Sequence, residues 1–351
     1  MTHYVDNFPD REITIGGVTH LYFGGTSYLG LQTNKKFQNI FISNIKKYGT
    51  NYGASRKSNV RFSIYEKTEK YLAELVGSQS CITLSSGYLA GQLITTYYNT
   101  PNYKLFFAPN THIALHLSKT NNYINYNSLT KDILSYINSN KKKTPVILLD
   151  SIDFHGANYP DFKFLDTLPL QECILVIDDS HGIGIVGENG AGVFKLLKER
   201  KPKRLIVCCS LGKGFAIQAG AVFGTAKTIS NLKKTAFFGG ASPTTPANIA
   251  TLKDAKAIYT LHRKKLQANN LYFTSKIQYL NYFTFMKGHP SFTYTNEKLT
   301  KYLMQNKIVV TNFNYPNEDS PLMSRIVISA SHTKEDLDSL IKRLLEFSNL
   351  N

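Results

Sequence analysis

The sequence is short of cysteine, of acidic residues and of long apolar runs, and each shortage excludes something. Four cysteines stand among 351 residues: Cys81, Cys173, Cys208 and Cys209. None forms a CxxC pair, and all lie in apolar, strand-like runs. They read as reduced core side chains of a cytoplasmic protein, and no metal site is expected. No apolar stretch approaches the roughly 18 residues of a membrane span. The opening MTHYVDNFPDREI also lacks the apolar centre of a signal peptide. Acidic residues number 24 against 41 Lys and Arg, a net charge of +17. The basic residues are scattered. Their tightest cluster, Lys141-Lys142-Lys143, is shorter than the run of about five to eight that marks a nucleic-acid patch. The excess therefore reads as a Lys-rich solvated surface, one that suits an anionic substrate or carrier, and no nucleic-acid partner is expected. Charged residues are only 19% of the chain, whereas 42% are apolar and 12% aromatic, which excludes a disordered tail or a coiled coil.

What is present is an alternation. At about 100–200 residues per domain the length allows two or three domains. Short β-branched runs recur at 81–84, 104–108, 145–150, 173–178, 204–209 and 220–224. Amphipathic stretches lie around them at 65–76, 88–98, 129–138 and 193–198, and a long one is expected over 246–269. Buried strands alternating with helices predict a mostly parallel α/β sheet. The last hundred residues change texture. SFTYT and RIVISAS accompany helical stretches at 297–305 and 334–347, the latter capped by Thr333, which predicts a smaller α+β domain.

Three segments carry chemistry. In CILVIDDSHGIGIVGENGAG (173–192) an apolar strand ends at Asp178, with His181 three residues on. Ligands of parallel α/β sheets bind at the carboxyl ends of strands, so the two are placed to act together; a plain turn with an Asx cap has the same pattern. In RLIVCCSLGKGFAIQAGAVFG (204–224) a second buried strand runs into Ser210 and then Lys213, flanked by Gly212 and Gly214. Such a lysine is either a solvated loop residue or a Schiff-base lysine. It is not a Walker A lysine, because the GxxxxGK[ST] spacing is absent. In CITLSSGYLAGQLI (81–94) a strand leads through Ser85, Ser86 and Gly87 into a helix whose N-terminus suits a phosphate. Pyridoxal phosphate needs this combination: a lysine to bond its aldehyde, a carboxylate to keep its ring nitrogen protonated, and a helix N-terminus for its phosphate.

Over nearly its whole length the chain resembles the α-oxoamine synthases, fold-type-I pyridoxal-phosphate enzymes. The resemblance starts at about Ile13. It rests on SYLGL (27–31), YGTNYGASRKSNVRFSIYEKTEKYLAELVGSQSCITLSSGY (48–88), APNTHIAL around His112, DDSHGIGIVGENGAG, SLGKGF and the closing SRIVISASHTKEDLDSLIKRLLEF. It implies a mostly parallel, seven-stranded type of sheet in a large domain, with a smaller α+β C-terminal domain. The expected division is an N-terminal strand segment over 1–34 packing with the small domain, a large cofactor domain over 35–250 and a small domain over 251–351. Lys213 would form the Schiff base and later transfer a proton, Asp178 would pair with the ring nitrogen, and His181 would bond the ring oxygen or the substrate carbonyl. His112 would stack on the ring. Ser86, Gly87 and Tyr88 would offer backbone amides to the phosphate, with Ser210 adding its hydroxyl and Ser242 reaching the phosphate of the partner subunit. Arg325 would bind the amino-acid carboxylate.

The implied activity is decarboxylative condensation of a small amino acid with an acyl thioester, on coenzyme A or acyl carrier protein, in a homodimer with active sites at the subunit interface. The chain departs from the family pattern in its short N-terminus and at Thr26, Ser27, Gly91, Asp153 and His155. An aminotransferase or decarboxylase on the same fold, and a basic non-catalytic binding protein, are the competing readings.

Overall fold

The computed structural model describes residues 2–117, 122–139, 142–315 and 317–350. Lys141 of the basic cluster lies outside them. Its strands in chain order are β1 (Glu12–Ile15), β2 (Val18–Phe23), β3 (Ser80–Leu84), β4 (Tyr103–Phe107), β5 (Thr144–Asp150), β6 (Ile174–Asp178), β7 (Arg204–Ser210), β8 (Gly220–Gly224), β9 (Thr284–Phe285), β10 (Ser291–Tyr294), β11 (Ile308–Asn314) and β12 (Leu322–Val327). The helices are α1 (Lys35–Tyr48), α2 (Ser63–Val76), α3 (Gly87–Tyr98), α4 (Tyr126–Asn138), α5 (Phe194–Lys198), α6 (Ala226–Lys234), α7 (Ala236–Gly240), α8 (Pro246–Asp254), α9 (Lys256–Ile277), α10 (Glu297–Gln305) and α11 (Lys334–Asn349). The chain forms two compact units. One comprises Asn39–Asp153 and Ala157–Lys256; the other comprises Met1–Gln38, Phe154–Gly156 and Ala257–Asn351.

The first unit is built on a sheet of order β3-β8-β7-β6-β5-β4. β4 to β7 pair in parallel, as the continuous apolar runs predict, while β8 is antiparallel to both β7 and β3. The ladder among the described residues holds six strands rather than the seven-stranded type that the resemblance implies. Every residue of β6 is buried, as befits a central strand covered on both faces. Ile82, Leu93, Leu148, Val176, Ile206 and Val222 form the core beside α3, and each buried aliphatic side chain contributes on the order of 2 kcal/mol. Chain punctuation works as local chemistry requires. α2 ends at Gly77, whose left-handed φ of 78° lets its N–H reach Ala73 and Glu74 carbonyls.

The long helix expected over 246–269 is two helices. Thr245 caps α8, and Pro246 occupies the first turn, where its missing N–H costs nothing. The break comes at Ala255, which is fully buried and the best of helix formers, so helix propensity does not account for it. The second unit has the sheet order β1-β2-β11-β12-β10-β9. β2 runs parallel to β11, so the two N-terminal strands join a sheet otherwise made from the C-terminal part. Phe23, Phe273, Phe292, Ile326, Leu340 and Leu344 make its core. Thr333 caps α11 in a reciprocal capping box with Asp336. Among the described residues no helix is long and apolar enough to cross a membrane.

Candidate active site

Registry across the parallel strands sets the site. Asp150 at the end of β5 lies opposite Asp178 at the end of β6, which lies opposite Cys208 of β7. Lys213 follows three residues after β7. Of its two glycine neighbours, Gly214 has a steric cause: a Cβ there would stand 2.3 Å from the Ile183 carbonyl oxygen. The turn after β7 therefore nests directly on the turn after β6. The result is a contact of 2.8 Å between Lys213 Nζ and His181 Nε2. Asp178 is buried; its Oδ1 accepts the Ser180 N–H at 2.9 Å, and its Oδ2 has no hydrogen-bond partner among the described residues.

The neighbouring Asp179 holds the turn after β6 together. It is 1% exposed and accepts from Ser151 Oγ at 2.6 Å and from the Val193 N–H at 3.1 Å. A Cβ on Gly182 or Gly192 would come within 2.0 or 1.9 Å of its oxygens, which explains the glycine-rich composition of this turn. Burial pushes the Asp179 carboxyl up to about 7, outweighing those two bonds. Ser180 Oγ in turn accepts the Ser210 N–H at 2.8 Å, tying the ends of β6 and β7 together.

His112 opens the 3-10 turn Ile113–Leu115 and caps it, its Nδ1 accepting the Ala114 N–H at 3.1 Å. Its own N–H donates to Asp150 Oδ1 at 3.2 Å. Burial lowers the His112 pKa, against the charge of Asp178 and with that of Lys213. Burial and the charge of Asp178 hold the Asp150 carboxyl well above the usual range. Asp150, Asp178, His112 and Lys213 thus form one electrostatic cluster. Gly91, where the family pattern has asparagine, packs α3 against this turn: a Cβ there would lie 2.5 Å from the Ala114 oxygen.

The N-terminus of α3 faces β7. Ser86 Oγ is spent on the cap, accepting the Leu89 N–H at 3.1 Å. The Gly87 and Tyr88 N–H groups keep no protein partner among the described residues, as the first turn of a helix dictates. A Cβ on Gly87 would stand 2.7 Å from Ser210, so only glycine lets the helix end approach this closely. Ser210 Oγ accepts the Gly212 N–H at 3.2 Å.

Ser242, Arg325, Asp153 and His155 remain, and the charge of Asp153 adds to the raised pKa of Asp150. Ser242 is exposed on the loop between α7 and α8 and has no hydrogen bond to the others. Arg325 belongs to β12 of the other unit, where its guanidinium lies 3.4 Å from the Phe154 ring centroid and burial lowers its pKa to about 10. His155 is exposed, while Asp153 is buried and accepts the Ala157 N–H at 3.1 Å. Sequence reading gave no part to Asp150 or Asp179. Asp150 had a legible signal, since it closes the apolar run PVILLD as Asp178 closes CILVID. Asp179 had none beyond its place beside Asp178.

A lysine amine in contact with an imidazole, a buried carboxylate with one open oxygen on the adjacent strand end, and two unpartnered helix N–H groups over a glycine cradle are the donor set that pyridoxal phosphate requires. The residues present fit that group. The family model for aminotransferase class I and II matches residues 27–344. An 8-amino-7-oxononanoate synthase of Petrotoga mobilis is 28% identical, with 94% of this chain and 89% of that protein covered. A serine palmitoyltransferase of Sphingobacterium spiritivorum is 27% identical, with 96% and 88% covered. Among solved structures, serine palmitoyltransferase of Sphingomonas wittichii superposes with a TM-score of 0.83 over 99% of this chain and 92% of that one, at 14% identity. The 8-amino-7-oxononanoate synthase of Francisella tularensis gives 0.71 over 94% and 99%, at 20% identity, so both attest the fold. With the family model spanning most of its length, the chain belongs to the aminotransferase class I and II family, in its pyridoxal-phosphate-dependent α-oxoamine synthase branch.

Proposed function

We propose that this chain is an acyltransferase that condenses a small amino acid with an acyl thioester, carried by coenzyme A or an acyl carrier protein, releasing carbon dioxide and an α-amino ketone. The observation that carries the reading is the 2.8 Å contact of Lys213 Nζ with His181 Nε2, in the cluster that contains Asp178. When bound, pyridoxal phosphate supplies an electron sink for negative charge at the amino-acid Cα. Lys213 would hold the cofactor covalently and move the proton at Cα through its Nζ. Asp178 would hold the proton on the ring nitrogen through its open Oδ2. His181 would bond the ring oxygen or the substrate carbonyl. His112, kept neutral by burial, would stack on a cationic ring without charge repulsion. The Ser86, Gly87 and Tyr88 backbone and the Ser210 hydroxyl would hold the phosphate. Ser242 would reach the phosphate of the partner subunit in a homodimer with active sites between subunits. Arg325 would take the amino-acid carboxylate. The basic surface suits an anionic carrier, and four buried, unbridged cysteines support a cytoplasmic setting.

The test is visible absorption of the purified protein with added pyridoxal phosphate, then borohydride reduction and peptide mapping. The cofactor mass is expected on the peptide containing Lys213, and Lys213→Ala is expected to retain cofactor poorly and to lose turnover. An adduct spread over surface lysines, or near-normal turnover by Lys213→Ala, refutes the reading. Amino transfer to a keto acid without thioester consumption transfers the reaction to the aminotransferase alternative.

A further inference from the structure

The two faces of the sheet β1-β2-β11-β12-β10-β9 differ in kind. One sends Phe292, Tyr294, Val310 and Ile326 into the hydrophobic core. The other carries Thr293, Arg325 and Thr311, aligned across β10, β12 and β11 by the strand register. Residues directly opposite in an antiparallel ladder have Cβ atoms about 4.5–5.5 Å apart. Arg325 is thus an arginine on a central strand with a threonine on either side. Thr311 Oγ1 already accepts the Gly25 N–H at 3.1 Å. Thr293 Oγ1 and Arg325 Nε are both closed off from solvent, and neither meets a hydrogen-bond partner. Among the described residues no carboxylate forms a salt bridge with Arg325.

Buried polar groups are normally satisfied, so two neighbouring donors left without an acceptor require an explanation. The environment of Arg325 narrows it. The Phe154 ring covers one face of the guanidinium, 3.4 Å from its centroid, and Phe154 adopts a left-handed φ of 61°, which is costly for a bulky residue. With one face blocked, the guanidinium offers its N–H groups edge-on, the direction from which a planar carboxylate binds. A hydroxyl one strand away can then donate to the same anion.

We propose that Thr293 is a second donor to the substrate carboxylate, its hydroxyl completing the site that Arg325 begins. The identity of that carboxylate as an amino acid's rests on the acyltransferase reading; the anion site itself rests on the sheet geometry. Thr293→Val removes the hydroxyl at nearly constant shape, and Thr293→Ser restores it.

Acetate is the probe, and the readout is the melting temperature of the protein as purified. Acetate is expected to raise it for the wild type and Thr293→Ser, whereas Thr293→Val needs about tenfold more acetate for the same rise, the loss of one charge-assisted hydrogen bond. Without acetate Thr293→Ser is expected to melt with the wild type, and Thr293→Val at the same temperature or above it, because it lacks an unpartnered buried hydroxyl. In turnover with glycine and an acyl thioester, Thr293→Val is expected to raise KM for glycine by a similar factor with kcat little changed. An equal acetate response in wild type and Thr293→Val overturns the proposal, as does a wild type that does not respond. A response that depends on Thr293, in a protein that turns over no amino acid with any thioester, upholds the carboxylate site and refutes the acyltransferase reading instead.

Discussion

Replacing Gly91 by alanine tests whether the tight packing of α3 on the His112 turn is as the structure has it. In an ordinary helix interior the change stabilises by about 1 kcal/mol, because alanine loses less backbone entropy. Here the new Cβ would stand 2.5 Å from the Ala114 carbonyl oxygen and 3.0 Å from its carbon. The turn cannot simply withdraw. Gln92 Nε2 donates to the Ala114 oxygen at 2.9 Å and to the His116 oxygen at 2.6 Å, and Thr95 Oγ1 donates to the Leu115 oxygen at 3.0 Å. Overpacking costs about 1–3 kcal/mol, and loss of one of those hydrogen bonds adds about 1 kcal/mol. Set against the propensity gain, Gly91→Ala is expected to destabilise by about 1–3 kcal/mol. The same shift moves Ala114, whose N–H holds His112 Nδ1, so cofactor affinity is expected to fall as well. Urea unfolding followed by circular dichroism, with a cofactor titration beside it, measures both. The sign decides the matter: a variant as stable as the wild type or more so refutes the packing argument.

Two further substitutions probe buried charge. Glu69 is 3% exposed, pairs with Arg56 at 2.9 Å and accepts from the Thr83 N–H and hydroxyl, each at 2.9 Å. Glu69→Gln leaves Arg56 without its counter-charge and is expected to cost about 3 kcal/mol in urea unfolding; a loss below about 1 kcal/mol, the value of a surface pair, refutes it. For Asp179, burial raises the folded-state carboxyl to about 7 from an unfolded value near 3.9, so folding favours its protonated form. Its contribution is complete below about pH 4 and is lost as the pH rises through about 7, with an upper limit of about 4 kcal/mol. The wild type is therefore expected to lose more stability than Asp179→Asn between about pH 5 and pH 8, and parallel unfolding curves for the two refute this.

Much of the fold could be read from local pattern. β3 to β8 lie within a residue or two of the apolar runs that predict them, because a central strand must be apolar on both faces. The cap of α11 was readable for a similar reason, since a threonine hydroxyl satisfies a helix N–H whatever surrounds it. Reading failed where no local rule applies. No expected helix covers α1, α6 or α7, and the break at Ala255 falls on a residue whose propensity argues for continuity. Asp179 looked like a neighbour of the interesting residue, yet its oxygens are what Gly182 and Gly192 make room for.

The sequence by itself determined the fold class, the order of strand-end residues and the kind of cofactor, because each depends on residue type and spacing along one chain segment. Only the tertiary structure decided which groups meet. Lys213 and His181 lie 32 residues apart and touch because Gly214 lets one turn sit on another. Thr293 and Arg325 become neighbours through strand register alone. Such contacts join residues distant in sequence, and what fixes them is the shape of the backbone between neighbouring strands, which no local pattern records.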